Sequence, residues 1–139
     1  MDNSSSTSKQ EEENKALALR YHGDIFQNGM LEVADEILSP DFVIHNPVLP
    51  EALRKGPEGT KKYASAIIAA VPDRKLEHHD ILVEGDKVLI RWTISGTNTS
   101  PLFGNPPTGN TYIVTGFDLF RISDGKIKEL WQQYNFASW

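Results

Sequence analysis

Residues 12–27, "EENKALALRYHGDIFQ", place apolar side chains every four positions, at Leu17, Tyr21 and Ile25, with Ala18, His22 and Phe26 one step around. This spacing predicts an amphipathic helix whose broad inner face includes one histidine, ended by Asn28-Gly29. "LEVADEILS" predicts a second, short helix stopped by Pro40. In "DFVIHNPV", Phe42, Ile44 and Asn46 alternate with Val43 and His45 until Pro47, the pattern of a short strand. "KGPEGTKKYASAIIAAVPD" predicts a third helix, with Pro57 just inside its start and Pro72 just past its end. Four strand patterns follow: "KLEHHDILVEG", "KVLIRWTISGTN", "TYIVTGFDLFRI" and "KIKELWQQYN". Gly-Asp, a Pro/Gly-rich loop and Ser-Asp-Gly separate them, turn chemistry suited to antiparallel neighbours.

The order α-α-β-α-β-β-β-β collects helices early and strands late. That argues for an α+β fold with the helices on one face of a curved, mainly antiparallel sheet. Such a sheet can enclose a pocket in its concavity. The chain has 139 residues, the size of one domain. Residues 1–11 are polar and lack an apolar anchor, so they read as a flexible tail, with a single domain over 12–139.

Charge and composition narrow the classes of partner. The net charge is −5 and no dense Lys/Arg cluster occurs, so nucleic acid is not an expected partner. The chain has no cysteine, which removes disulfides and thiolate metal sites. No stretch reads as a membrane span or as the apolar core of a secretory signal, and a cytoplasmic location is expected.

Several segments together resemble a known family: "RYHGDIFQNG", "FVIHNP", "GPEG", and the run from "GDKVLIRWTISGTNTS" through "FRISDGKIKELW". They are similar to the SnoaL-like polyketide cyclases (ester cyclases) of the nuclear-transport-factor-two-like superfamily, over about residues 15 to 135. "GNPPTG" at Gly104 to Gly109 and "FRISDGKIKELW" at Phe120 to Trp131 are the most specific pieces. The resemblance implies a cone-shaped α+β barrel, often a homodimer, with an apolar pocket between sheet and helices. The founding cyclases close a ring by intramolecular aldol condensation without metal or cofactor, so none is expected here. A small apolar carbonyl compound is the implied ligand.

Asp118 is the first candidate. Alternation puts it on one face with Val114, Gly116 and Phe120, and both faces of that segment read as largely apolar, predicting cover on both sides. A buried acid there must be hydrogen-bonded, paired or protonated. It pairs with an arginine such as Arg91, sits at a solvated rim, or serves the pocket. By resemblance it occupies the place of the ketosteroid isomerase acid that donates to an oxyanion, where the cyclases carry a histidine. His22 matches that oxyanion's second donor. Gln132 falls where the cyclases carry their proton-transferring aspartate, and Asn46 where the isomerases carry their base. Both are amides and can only hydrogen-bond. His45, beside Asn46, is then the preferred base, with Asp118 and His22 stabilising the oxyanion.

Gln132, Asn46, Arg91, Trp92, Phe103 and Tyr134 complete the expected ligand-binding set. Arg91 either complements a carboxylate or sits on the outer face beside Thr93. Trp92 and Trp131 offer packing area for core, dimer or ligand. Leu102 and Phe103 either lid the pocket or pack on a neighbouring subunit. His78 and His79 are adjacent on a strand, point to opposite faces and read as surface residues, so no metal site is expected there. The leading expectation is enolate chemistry, aldol-type cyclisation or isomerisation. The alternative is a binding module that has lost its base, and an epoxide hydrolase is disfavoured by Gln132.

Overall fold

The computed structural model describes residues 8–138. Helices α1 (Lys9–Arg20), α2 (Val33–Ile37) and α3 (Gly56–Ala70) and strands β1 (Leu38–His45), β2 (Lys75–Glu84), β3 (Lys87–Thr97), β4 (Thr111–Ser123) and β5 (Lys126–Ser138) follow the expected order. The strands form one open, curved sheet, β1-β5-β4-β3-β2, in which only the β1–β5 pair is parallel. The helices cover its concave face, burying Ala18, Ile25, Ile37 and Ala64 against Val88, Ile90, Phe120 and Leu130. This is the α+β arrangement expected from the order of elements.

Four boundaries differ from the sequence reading, each for a local reason. Helix α1 begins at Lys9 rather than near residue 12, because Ser8 and Glu11 form a capping box: Ser8 Oγ accepts the Glu11 N–H at 3.1 Å and the Glu11 carboxylate accepts the Ser8 N–H at 2.9 Å. Residues 9–11 are therefore helical, and the remainder of the expected tail, 1–7, lies outside the described residues. Past Arg20 the helix widens into a π-helical segment, Tyr21–Gln27, with the Asn28 N–H reaching Gly23 O at 2.9 Å. A turn closed by i→i+5 bonds holds more than four residues, so side chains four apart stay aligned. Tyr21 and Ile25 stack on one inner row, His22 and Phe26 on the next, and all four are buried. Leu38 and Ser39 belong to β1 rather than to the second helix, and Pro40 is accommodated because β1 is an edge strand. Finally, among the described residues only one face of β4 is covered by helices, and Phe117 on the convex side is 50% exposed.

A reciprocal clasp sets the π-helical segment against β2. The Arg74 guanidinium donates to the Phe26 carbonyl at 2.5 Å and to the Gln27 carbonyl at 2.8 Å, satisfying the open end of the helix. Gln27 in return donates to Arg74 O and accepts the Leu76 N–H. This contact brings His22 opposite the middle of β2. The long loop after β3 is closed by Asn98, fully buried, whose Oδ1 accepts the Thr108 N–H at 2.7 Å and whose Nδ2 donates to Ser100 O. Leu102 plugs into the protein's own core, 1% exposed, which fixes the loop to this subunit.

Candidate active site

A cavity opens between the helices and the concave face of the sheet. Its walls are mostly aromatic and aliphatic, including Phe26, Tyr63, Ile67, Trp92 and Tyr112, and its polar side chains are His22, Asp118, Gln132 and Tyr134. The space accepting a water-sized sphere is about 50 Å³. That is room for a few water molecules.

Asp118 and Gln132 meet because β4 and β5 are antiparallel neighbours in a register that pairs these two residues directly, both on the inner face. Their exposures are 1% and 5%. Gln132 Nε2 donates to Asp118 Oδ1 at 3.1 Å, and its Oε1 accepts from Asn46 Nδ2 at 3.0 Å and from the Tyr63 hydroxyl at 3.1 Å. Asn46 Oδ1 accepts the Val48 backbone N–H at 3.1 Å. Across the cavity His22 Nε2 lies 2.7 Å from Asp118 Oδ2, and His22 Nδ1 lies 2.9 Å from His78 Nε2.

From the Val48 N–H to Asp118 Oδ1 these contacts fix donor and acceptor roles without reference to hydrogen positions. A backbone N–H can only donate, so the Asn46 atom facing it is oxygen and the other end is –NH₂. That amide must meet an acceptor, so Gln132 presents its oxygen to Asn46 and its –NH₂ to Asp118. Asp118 Oδ1 is therefore an acceptor. An ionised Asp118 would accept at Oδ2 from His22 Nε2–H as well, which would leave His22 Nδ1 to accept from His78. Burial first, and the nearby His22, hold the His78 imidazole below its usual value of 6.5, with Asp118 opposing. Burial raises the Tyr134 phenol above its usual value, the Asn46 amide opposing, so Tyr134 remains an O–H donor at neutral pH. Tyr63 is pushed well above its usual value by burial. Trp92 lies across β3 and β4 from Gly116, where a Cβ would come within 2.6 Å of the indole. The glycine thus makes room for the ring. The buried Trp92 Nε1–H has no hydrogen-bond partner among the described residues.

His22, Asp118, Gln132, Asn46, Trp92 and Tyr134 converge on the cavity or its polar floor as the sequence suggested. Three candidates do not. His45, the expected base, points to the convex side, where it pairs with Glu129 at 2.8 Å and stacks on Trp131 with ring centres 5.0 Å apart. The reason is strand alternation: Asn46 faces inward, so His45 cannot. Arg91 is likewise on the outer face, bound to Asp80 at 2.6 Å rather than to Asp118. Phe103 packs its ring 6.0 Å from Tyr63, behind the cavity wall instead of in it.

Two residues were missed. Tyr63 follows from helical spacing with Ile67 on the inner face of α3. His78 is exposed, as the sequence suggested, but its ring also reaches inward to His22, which the sequence did not show; the cause is a β-bulge: β2 advances two residues from His78 to Asp80 while β3 advances one, from Trp92 to Arg91. Before the bulge the even positions Leu76 and His78 face inward, and after it the odd positions Ile81 and Val83 do. The alternation of "LEHHDILVE" is out of phase across "HHD", which hides His78. His79 does point the other way, to Thr93 at 2.8 Å. Among the described residues, no group of three or more His, Cys, Asp or Glu is placed to hold a metal ion, and no helix is long and apolar enough to cross a membrane.

The comparisons agree with this architecture. A structure of the SnoaL-like polyketide cyclase type from Jannaschia sp. CCS1 superposes with a TM-score of 0.79 at 23% identity, over 93% of this chain and 90% of that one. TsrD from Streptomyces laurentii gives 0.78 at 26% identity, over 93% and 91%. IdmH from Streptomyces antibioticus, described as a candidate polyketide cyclase, gives 0.69 at 28% identity, over 87% and 91%. No match to the sequence was found among curated proteins. The sequence profile of the SnoaL-like polyketide cyclases matches residues 16–139, nearly the whole described domain. On that match, and on the fold and cavity that accompany it, the chain belongs to the SnoaL-like polyketide cyclase family.

Proposed function

We propose that this protein transfers protons without a cofactor at the carbon next to a carbonyl, in aldol-type cyclisation or double-bond isomerisation of a small apolar carbonyl compound. The observation that carries the reading is the Asp118 carboxylate, buried on the cavity wall and oriented at both oxygens by His22 and Gln132. A carboxylate has about four lone-pair sites and two are used, so the others remain for a ligand. Asp118 removes the α-proton, and the electron pair moves to the carbonyl oxygen. Tyr134 O–H, a donor on the cavity wall, takes up the charge that develops there. The acid then returns the proton, to carbon in an isomerisation or to the new alkoxide in an aldol closure.

The base is thereby moved from His45, which faces outward, to Asp118, and Asp118 changes from oxyanion donor to proton acceptor. Gln132, an amide at the place where the resemblance puts the acid of the founding cyclases, serves as the arm that holds Asp118. A larger ligand enters only if the cavity wall shifts, since the present space takes a few waters. A binding module without chemistry is the second reading, favoured by that amide and by the small cavity.

Deuterium wash-in at the α-carbon separates the two. Apolar cyclic ketones and β-keto esters incubated in D₂O are expected to lose their α-proton NMR signal with the wild type. In Asp118→Asn the rate should drop by about 100-fold or more, the scale of general-base catalysis. His45→Ala should match the wild type. Saturable binding with no exchange in any compound would establish the binding module, and equal exchange in Asp118→Asn would remove Asp118 as the base.

A further inference from the structure

Asp118 is 1% exposed and His22 4% exposed, so the carboxyl has very little direct contact with solvent. A path of titratable ring nitrogens leads outward from it: Asp118 Oδ2 to His22 Nε2 at 2.7 Å, then His22 Nδ1 to His78 Nε2 at 2.9 Å. His78 is exposed at its far side and half-stacked on His22, ring centres 5.0 Å apart at 27°. We propose that His78 is the port through which the buried Asp118 carboxyl exchanges protons with solvent, by way of His22.

His22 presents opposite ring nitrogens to Asp118 and to His78, which is what a relay requires and what a merely structural hydrogen bond does not, and His78 gives its Nε2 to His22. In the resting state each imidazole carries its proton on Nε2: His78 donates to His22, and His22 donates to the carboxylate. When a proton arrives from solvent at His78 Nδ1, the Nε2 proton of His78 passes to His22 Nδ1, and the Nε2 proton of His22 passes to Asp118 Oδ2. One proton has entered and one carboxyl has been neutralised, and both imidazoles now carry theirs on Nδ1. Reversal of the same steps returns the proton to solvent. His78 suits the outer position because burial and His22 hold its affinity for a second proton down, so at neutral pH it is free to accept one. The titratable groups around it are His22 on the helix side, Asp118 behind that ring on β4, and His79 beside it on β2. The β2 bulge supplies the geometry, as bulges beside active sites commonly re-aim a side chain.

The inference extends the proton-transfer reading, but its test needs no substrate. Solvent exchange of the His22 Nε2–H is measured by ¹⁵N-edited NMR on histidine-labelled protein. His78→Gln keeps an N–H donor opposite His22 Nδ1 and cannot pass a proton on, so His22 should keep its tautomer while exchange slows by about tenfold or more. His78→Ala should be equally slow and should recover as imidazole is added to the buffer, with no recovery from the same concentration of sodium chloride. Exchange in His78→Gln at the wild-type rate would overturn the relay, as would indifference of His78→Ala to imidazole. Failure of every ketone to exchange would count against the reaction and leave this result standing.

Discussion

Val48 contributes one backbone N–H that cannot be reversed, and from it the orientation of Asn46, Gln132 and Asp118 follows in turn. The site is consequently sensitive to changes that keep shape and alter polarity. Gln132→Glu places two carboxyls where an amide now donates at 3.1 Å, and like charges so close cannot both ionise. One of them keeps its proton with a folded value above its unfolded one. Its stability contribution is present below the unfolded value and is lost as pH rises through the folded value. Urea midpoints of this variant should fall between about pH 4 and pH 8 relative to the wild type. His78 works in the opposite sense: its folded value lies below 6.5, so stability is full above 6.5 and declines as pH falls from there to the folded value. His78→Gln should flatten that decline, read from denaturation midpoints across the same range. At this scale Asp118 and His22 were legible because each sits in phase with a regular apolar face, and Gln132 and Asn46 because the family resemblance pointed to their positions. His78 was not, because one extra residue in β2 shifts the phase. His45 was misassigned by chemistry alone, since its own strand pattern already opposed it to Asn46.

Elements deliver these residues to one another, and the decisive element is the widened helix Tyr21–Gln27. Its four-residue spacing was visible in the sequence, but the backbone form was not, because apolar period alone does not distinguish an α-turn from a π-turn. Gly23 lies within it, and a Cβ there would meet nothing within 4 Å. Gly23→Ala should therefore stabilise the protein, by about 0.5–1 kcal/mol in thermal or urea unfolding, through lost chain entropy in the unfolded state. The Arg74 clasp on the Phe26 and Gln27 carbonyls acts at the same level. Arg74→Ala should cost about 1.5–3 kcal/mol, the scale of hydrogen bonds from a charged donor. It should also broaden the His22 and His78 imidazole resonances as the helix end comes loose. The strand turns, by contrast, were plain from Gly-Asp and Ser-Asp-Gly, and β2–β3 and β4–β5 pair as those turns require.

Over the whole molecule, the order of elements was enough for the α+β class, because helices gathered before an antiparallel run have one economical place to pack. Cover on both faces of β4 did not follow, since side-chain apolarity does not say what lies opposite. The convex face shows Phe117 at 50% and Trp131 at 37% exposure among polar neighbours such as Thr115, Gln133 and Asn135. A second copy of the chain seated on this face is our proposal for the expected homodimer. Sedimentation should give a dimer for the wild type and a monomer for Phe117→Lys with Trp131→Lys, while a monomeric wild type would refute it. The PPTG loop is a different matter, because Leu102 closes it on the subunit's own core.

In the proposed site Asp118 accepts at both oxygens and so holds His22 as the Nε2–H tautomer. An ¹⁵N spectrum of the histidine side chains at neutral pH tests it directly, in the wild type and in Asp118→Asn. His22 should carry Nε2–H in the wild type. In the variant it should carry Nδ1–H, because the substituted amide must keep its oxygen toward Gln132 and turn its –NH₂ to His22. The same tautomer in both proteins, or Nδ1–H in the wild type, would contradict it.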